Sequence, residues 1–232
     1  MGTRGAYGFR INNEDKVTYN HFDSYPESLG KNVVEFIRST PMKELIAIAN
    51  KIVLVDGNLV PTDEEQEKYA KLYANLSVSD RSLKDWYCLI RNSQGNLGAY
   101  KEGLVHMIDS HEFLIDSLFC EWVYIINMDT NKLEVYKGFN TDPFNAKGRY
   151  CTETSDEKRK YYGVSLVNET SISKIRNMSS SSVELYLNKI TKLGEWNMNS
   201  IFRMFKAIAD ATGIPDVVNE VCNDIAEDFE DE

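Results

Sequence analysis

The sequence predicts an α+β fold, a mostly antiparallel sheet packed with several helices, and three observations carry that expectation. Two pairs of short aromatic and β-branched runs close around polar turns, the pattern of β-hairpins. Several other segments place apolar residues at helical spacing. Of 232 residues, 42% are apolar, enough for one core that buries well over half of the unfolded surface. A single domain over residues 1–226 is therefore expected, followed by a solvated acidic tail at 227–232.

The first hairpin joins residues 7–11 to 16–19 through Asn12-Asn13-Glu14-Asp15, a run of turn formers. Residues 21–30 show no clear period and read as a structured loop. Val33, Val34, Phe36 and Ile37 fit a short helix over 31–38, and Leu45, Ile46, Ile48 and Ala49 after Pro41 fit a second. Residues 51–55 fit either a strand or the end of that helix. Thr62 before Asp63-Glu64-Glu65 is an N-cap with acids in the first turn, where they complement the helix dipole; Tyr69, Leu72, Tyr73 and Leu76 continue that helical face. Another helix is expected over 82–90, with Trp86, Leu89 and Ile90 inward, closed by Asn92-Ser93-Gln94-Gly95-Asn96. The clearest local pattern is the second hairpin, which carries Trp122 and Tyr136 on strands 121–127 and 132–137 around Met128-Asp129-Thr130-Asn131. Its aromatics are expected in the core and in cross-strand packing. Residues 161–167 read as a strand, and 183–190 fit strand or helix. From 196 to 212, Met198, Ile201, Phe202, Phe205, Ile208 and Ala209 share one helical face, ended by Gly213 and Pro215.

Composition removes several function classes. Cys88, Cys120, Cys151 and Cys222 form no C-x-x-C pair, so they read as buried thiols in a reducing compartment rather than a zinc ribbon or disulfide framework. No apolar run approaches the ~20 residues that span a bilayer, and no signal-peptide core opens the chain. Met1-Gly2 lacks the Ser or Thr that a myristoylation signal needs where Ala6 stands. The cytoplasm is the expected location, without a membrane partner. Thirty-six acidic residues against 26 basic, a net charge of −10, argue against a broad nucleic-acid face, and Asp156-Glu157 offset the densest basic cluster, Lys158-Arg159-Lys160. Phosphate-loop, dinucleotide, nucleophile-elbow and H-E-x-x-H patterns are missing, and no cofactor is expected.

Chemistry concentrates at the N-terminus. The first hairpin brings Thr3-Arg4-Gly5 to Asn20-His21-Phe22-Asp23-Ser24-Tyr25-Pro26, placing a hydroxyl, a guanidinium, an imidazole and a carboxylate in one patch. His21 and Asp23 are two apart, so an extended segment would aim both the same way, as a general base and its orienting acid require. Metal is not expected, since no third ligand lies nearby. Arg4 either pins a carboxylate or phosphate of a ligand or pairs with Asp23 to fix the loop. The candidate catalytic residues are His21, Asp23 and Thr3; the candidate ligand-binding residues are Arg4, His21, Asp23, Ser24 and Tyr25. Thr3 before a strand also suits an N-terminal nucleophile, but Met1-Gly2 precede it and would have to be removed. A helix over 104–119 would gather His106, Asp109, His111, Glu112 and Asp116, with Met107, Ile108, Phe113, Leu114, Leu118 and Phe119 as core.

Thr3, Arg4 and Gly5, then Tyr19, His21, Asp23, Tyr25, Pro26 and Gly30, match T-R-G and Y-x-H-x-D-x-Y-P-x-x-x-G. On these residues the chain resembles a family of uncharacterised proteins from tailed bacteriophages, bacteria and some fungi. The resemblance covers residues 3–30, implies a phage or bacterial origin and so the host cytoplasm, and carries over no catalytic role. Two functions follow as expectations. The first is an intracellular binding or interaction protein whose partner is a host protein or a small anionic signal molecule. The second is a hydrolase or transferase that uses the N-terminal Thr, Arg, His and Asp on a phosphorylated or carboxylated small molecule.

Overall fold

Asn12 and Asn13 take left-handed backbone angles, φ +54° and +63°, which a two-residue hairpin turn requires at both central positions. They join β1 (Gly5–Ile11) to β2 (Glu14–Asn20), so these strands run longer and the turn tighter than the residue pattern predicts. The Asp129 carboxylate accepts from both turn amides, at 2.8 and 2.9 Å. The computed structural model describes residues 3–76, 84–154 and 161–194. Two compact units divide the chain, Met1–Thr191 and Lys192–Glu232. The elements below belong to the first, apart from the end of the last helix. The helix expected over 196–212, the tail at 227–232, Cys222 and Lys158-Arg159-Lys160 lie outside the described residues, as does the start of the helix expected over 82–90.

The remaining strands are β3 (Val53–Val55), β4 (His106–Ile108), β5 (Trp122–Asn127), β6 (Lys132–Lys137) and β7 (Ser165–Ser171). Five form a mixed sheet in the order β2-β1-β5-β6-β7, antiparallel except where β1 meets β5, and β3 pairs with β4 in parallel. The helices are α1 (Lys31–Ser39), α2 (Met42–Lys51), α3 (Asp63–Tyr69), α4 (Trp86–Leu89), α5 (Gly98–Lys101), α6 (His111–Leu114), α7 (Ile172–Arg176) and α8 (Ser180–Gly194). This is the expected α+β class.

Both sheet faces are covered. Tyr7, Phe9, Trp122, Tyr124, Ile126 and Val135 face the main core with the helices, while Ala6, Val123, Ile125 and Tyr136 pack on the other side against Leu114, Tyr150 and Val164. Every residue of β5 is buried, as expected of a strand with a parallel neighbour and cover on both sides. Gly8 lets β1 and β2 approach, since a Cβ there would stand 2.0 Å from the Lys16 carbonyl oxygen. Cys88, Cys120 and Cys151 are buried and take part in no disulfide.

Several local expectations need correction. Thr62 caps α3 with a reciprocal Glu65 box, but the helix passes into a 3₁₀ turn at Ala70–Leu72 and stops. Within 82–90 only the single turn of α4 is helical among the described residues. Residues 104–119 hold β4 and the short α6 instead of one helix, and Phe119 is 42% exposed. The strand expected at 161–167 starts at Ser165 because Tyr162, Gly163 and Val164 donate to the Asn140, Glu153 and Leu114 carbonyls instead of to β6. Residues 183–190 resolve as helix.

One ionic network ties the segment after β6 to the sheet. The Arg149 guanidinium donates to both Asp15 oxygens, at 3.2 and 3.0 Å, and to Glu134 at 3.0 Å. Arg10 adds a 2.9 Å bond to Asp15, while Tyr136 and Asn127 donate to Glu134 at 2.9 and 2.6 Å.

Candidate functional site

Half of the N-terminal motif is a structural knot. Ser24 N–H donates to the Thr3 carbonyl at 3.0 Å, tying the end of β2 to the start of β1. Ser24 is fully buried, its hydroxyl takes a 2.8 Å bond from Asn20, and Tyr124 O–H donates to its carbonyl at 3.0 Å. Gly5 leaves the room for this, since a Cβ there would lie 2.2 Å from the Trp122 carbonyl and 2.6 Å from Ser24 Cβ. Pro26 opens a π turn over Pro26–Gly30 that leads into α1. Asp23 adopts φ +50°, a conformation Asp tolerates better than most residues. The chain thereby reverses over His21-Phe22-Asp23 and exposes all three to varying degree.

These three form one wall of a cleft of about 430 Å³, within the range of small-molecule sites. Asn20, Leu29 and Asn32 also line it, and the other wall is Arg91, Asn92, Gln94, Gly95 and Asn96. Asn32 Nδ2 reaches the Gly95 carbonyl at 3.4 Å, stapling the walls together. Gly95 has φ +73°, and a Cβ there would sit 3.1 Å from Asn20 Oδ1, so conformation and space both call for glycine.

The hydrogen-bonding capacity of the cleft is only partly spent. Asn20 is 5% exposed and gives its amide protons to the Phe22 carbonyl and Ser24 Oγ, which leaves Oδ1 without a donor among the described residues. Arg91 lies over the Tyr87 ring, 5.3 Å from its centroid, and uses Nη1 on Gln94. Its other guanidinium N–H groups, the Asp23 carboxylate and the Asn96 side-chain amide have no protein hydrogen-bond partner among the described residues. His21 Nδ1 is 2.6 Å from Tyr19 Oη. With the phenol donating, the imidazole carries its proton on Nε2. Burial, then the Arg91 and Arg4 charges, push the His21 pKa below its ordinary value, so the ring is neutral at pH 7. Two cations therefore act on this corner of a chain whose net charge is −10.

Of the predicted site residues, His21 and Asp23 line the cleft. Arg4 is exposed beside it, acting on His21 through charge, while Thr3 and Ser24 contribute to the knot and Tyr25 is 39% exposed outside the lining. Among the described residues no ion pair joins Arg4 to Asp23, and no hydrogen bond links the Thr3 hydroxyl to His21. Comparison with family models, curated proteins and solved structures gives no match. Sequence reasoning missed the Arg91 wall, reading 92–96 as turn formers; the signal was four side-chain amide and hydroxyl groups directly after an arginine.

A second hollow, of about 450 Å³ at the ends of β3 and β4, is lined by Asp56, Asp109, Glu112 and His111. Asp56 and Asp109 accept from nearby backbone amides at 2.8 and 3.0 Å. No group of three His, Cys, Asp or Glu among the described residues is arranged to hold a metal, and no helix among them is long and apolar enough to cross a membrane. His106 lies elsewhere, its Nδ1 3.1 Å from Tyr69 Oη and its ring tilted against Trp86.

Proposed function

We propose that the chain is a binding protein whose cleft between residues 20–32 and 91–96 takes a small anionic ligand. The observation that carries this reading is Arg91, which faces the cleft with donors unspent and Arg4 nearby, beside carboxamides that can read a ligand's hydrogen-bonding groups. An acyl- or phosphoryl-transfer site would need a nucleophile within reach of its base. His21 is held by Tyr19 instead of Asp23, and Thr3 does not line the cleft. The geometry thus favours capture over turnover.

Thermal shift followed by calorimetry on wild type, Arg91→Ala and Arg4→Ala tests it, with nucleotides, sugar phosphates and polycarboxylates as ligands. A charge-assisted hydrogen bond contributes about 1.5–3 kcal/mol, so Arg91→Ala should weaken a hit by about 10- to 100-fold. Arg4→Ala should weaken it less, because Arg4 acts across solvent. Affinity unchanged in Arg91→Ala removes the reading, and turnover of a hit by wild type replaces it with the hydrolase or transferase.

A further inference from the structure

The cleft does not end at Asn32. A third hollow, of about 520 Å³, continues from it, and the two share Asn32, Gly95 and Asn96. Its walls are the outer face of α1, with Glu35 and Ser39, and the end of α5, with Lys101. Lys101 Nζ stands 3.5 Å from the Ser39 carbonyl. The surface is thus a two-lobed groove pinched at the Asn32 staple.

The lobes offer different chemistry. The first has an aromatic face at its lip, Phe22, which is 61% exposed, and such faces stack on planar rings. Asn20 Oδ1 and the Asp23 carboxylate supply acceptors for N–H groups on the edge of such a ring, and Arg91 supplies a fork for phosphate oxygens. The second lobe has no exposed aromatic in its lining, but combines a carboxylate, a hydroxyl and an ammonium in Glu35, Ser39 and Lys101. That mixture of donors and acceptors suits a polyhydroxyl group. Each lobe has the volume of a small-molecule site, and the lining they share lets one extended molecule occupy both.

Resting on the anion-binding reading above, we infer that the ligand is an extended nucleotide of the nucleoside diphosphate sugar class. Its base lies against Phe22, its phosphates at Arg91, and its sugar in the lobe of Glu35, Ser39 and Lys101. Neither half alone uses both lobes.

Calorimetry on the full chain separates the two claims. The probes are the monophosphate, diphosphate and diphosphate-glucose forms of uridine and of adenosine, together with inorganic pyrophosphate. For one of the two bases, the diphosphate sugar should bind at least about tenfold tighter than its diphosphate, the effect of one good added contact. Lys101→Ala and Glu35→Gln should erase that advantage and leave monophosphate affinity unchanged. Both residues are exposed, and melting curves check that each variant folds. Equal affinity for diphosphate and diphosphate sugar, or an advantage that survives both substitutions, overturns the inference while Arg91-dependent binding keeps the cleft. Pyrophosphate binding without nucleotide binding also overturns it and keeps the cleft. No binding by any probe overturns the inference, and the anion reading then stands or falls on the sugar phosphates and polycarboxylates.

Discussion

Replacing Arg149 by Met keeps most of the side chain's bulk and removes the cation shared by two carboxylates. The Asp15 and Glu134 side chains are 8% and 4% exposed. Removing one partner of a buried ion pair costs about 3–5 kcal/mol, because the other charge stays buried. Two features of the network reduce that. The Arg149 side chain is 29% exposed, so water can enter its place, and each carboxylate keeps other donors, Arg10 on Asp15 and Tyr136 with Asn127 on Glu134. The expected loss is therefore about 2–3 kcal/mol, which in a chain of this size lowers Tm by about 4–12 °C. Urea unfolding of wild type, Arg149→Met, Glu134→Gln and the double variant measures it as a cycle. Glu134→Gln removes the charge that Arg149→Met strands, so the double variant should lose less than the sum of the singles. A loss below about 0.5 kcal/mol in Arg149→Met, or strict additivity, would refute the view that this network clamps the segment after β6 to the sheet.

Two further outcomes follow from local geometry. Gly8→Ala puts a methyl 2.0 Å from the Lys16 carbonyl, a backbone atom that cannot turn away; the strands must part, at a cost of about 3 kcal/mol or more, and Tm or soluble yield should fall clearly below that of an exposed control such as Ser173→Ala. Ligand affinity should rise on acidification, because a bound anion offsets the Arg91 and Arg4 fields that, after burial, depress the His21 pKa. The complex then binds more protons than the free protein between the two His21 pKa values, so Kd falls as pH drops through that window, by up to about tenfold per unit of pKa difference. The probe should carry phosphates that do not titrate there, and His21→Asn should flatten the slope; a Kd that rises on acidification contradicts it.

Local patterns in the sequence were enough for the hairpins, for α1 and α2, and for the Thr62 cap, because each rests on residues a few positions apart. The parallel pairing of β1 with β5 was not legible. It joins Gly5 to Trp122, and neither strand's own alternation names a neighbour so distant in sequence. Residues 161–164 look like strand because Tyr161, Tyr162 and Val164 are aromatic or β-branched, but the amides of 162–164 are taken by carbonyls of two loops and of the end of α6. The site was half legible. His21 and Asp23 stood out by residue type, yet Ser24, also a candidate ligand-binding residue, is buried under Tyr124. Arg91 was hidden because its approach to His21 depends on how residues 84–96 fold back over the end of β2, which no local spacing encodes.

The most direct test of the central claim is an amide NMR titration of the full chain with a calorimetric hit, because it reports where the ligand sits. The account predicts the largest shifts at residues 20–32 and 91–96, with Lys101 joining them for an extended ligand. Shifts centred instead on residues 54–58 and 109–112, the acidic hollow, would contradict it.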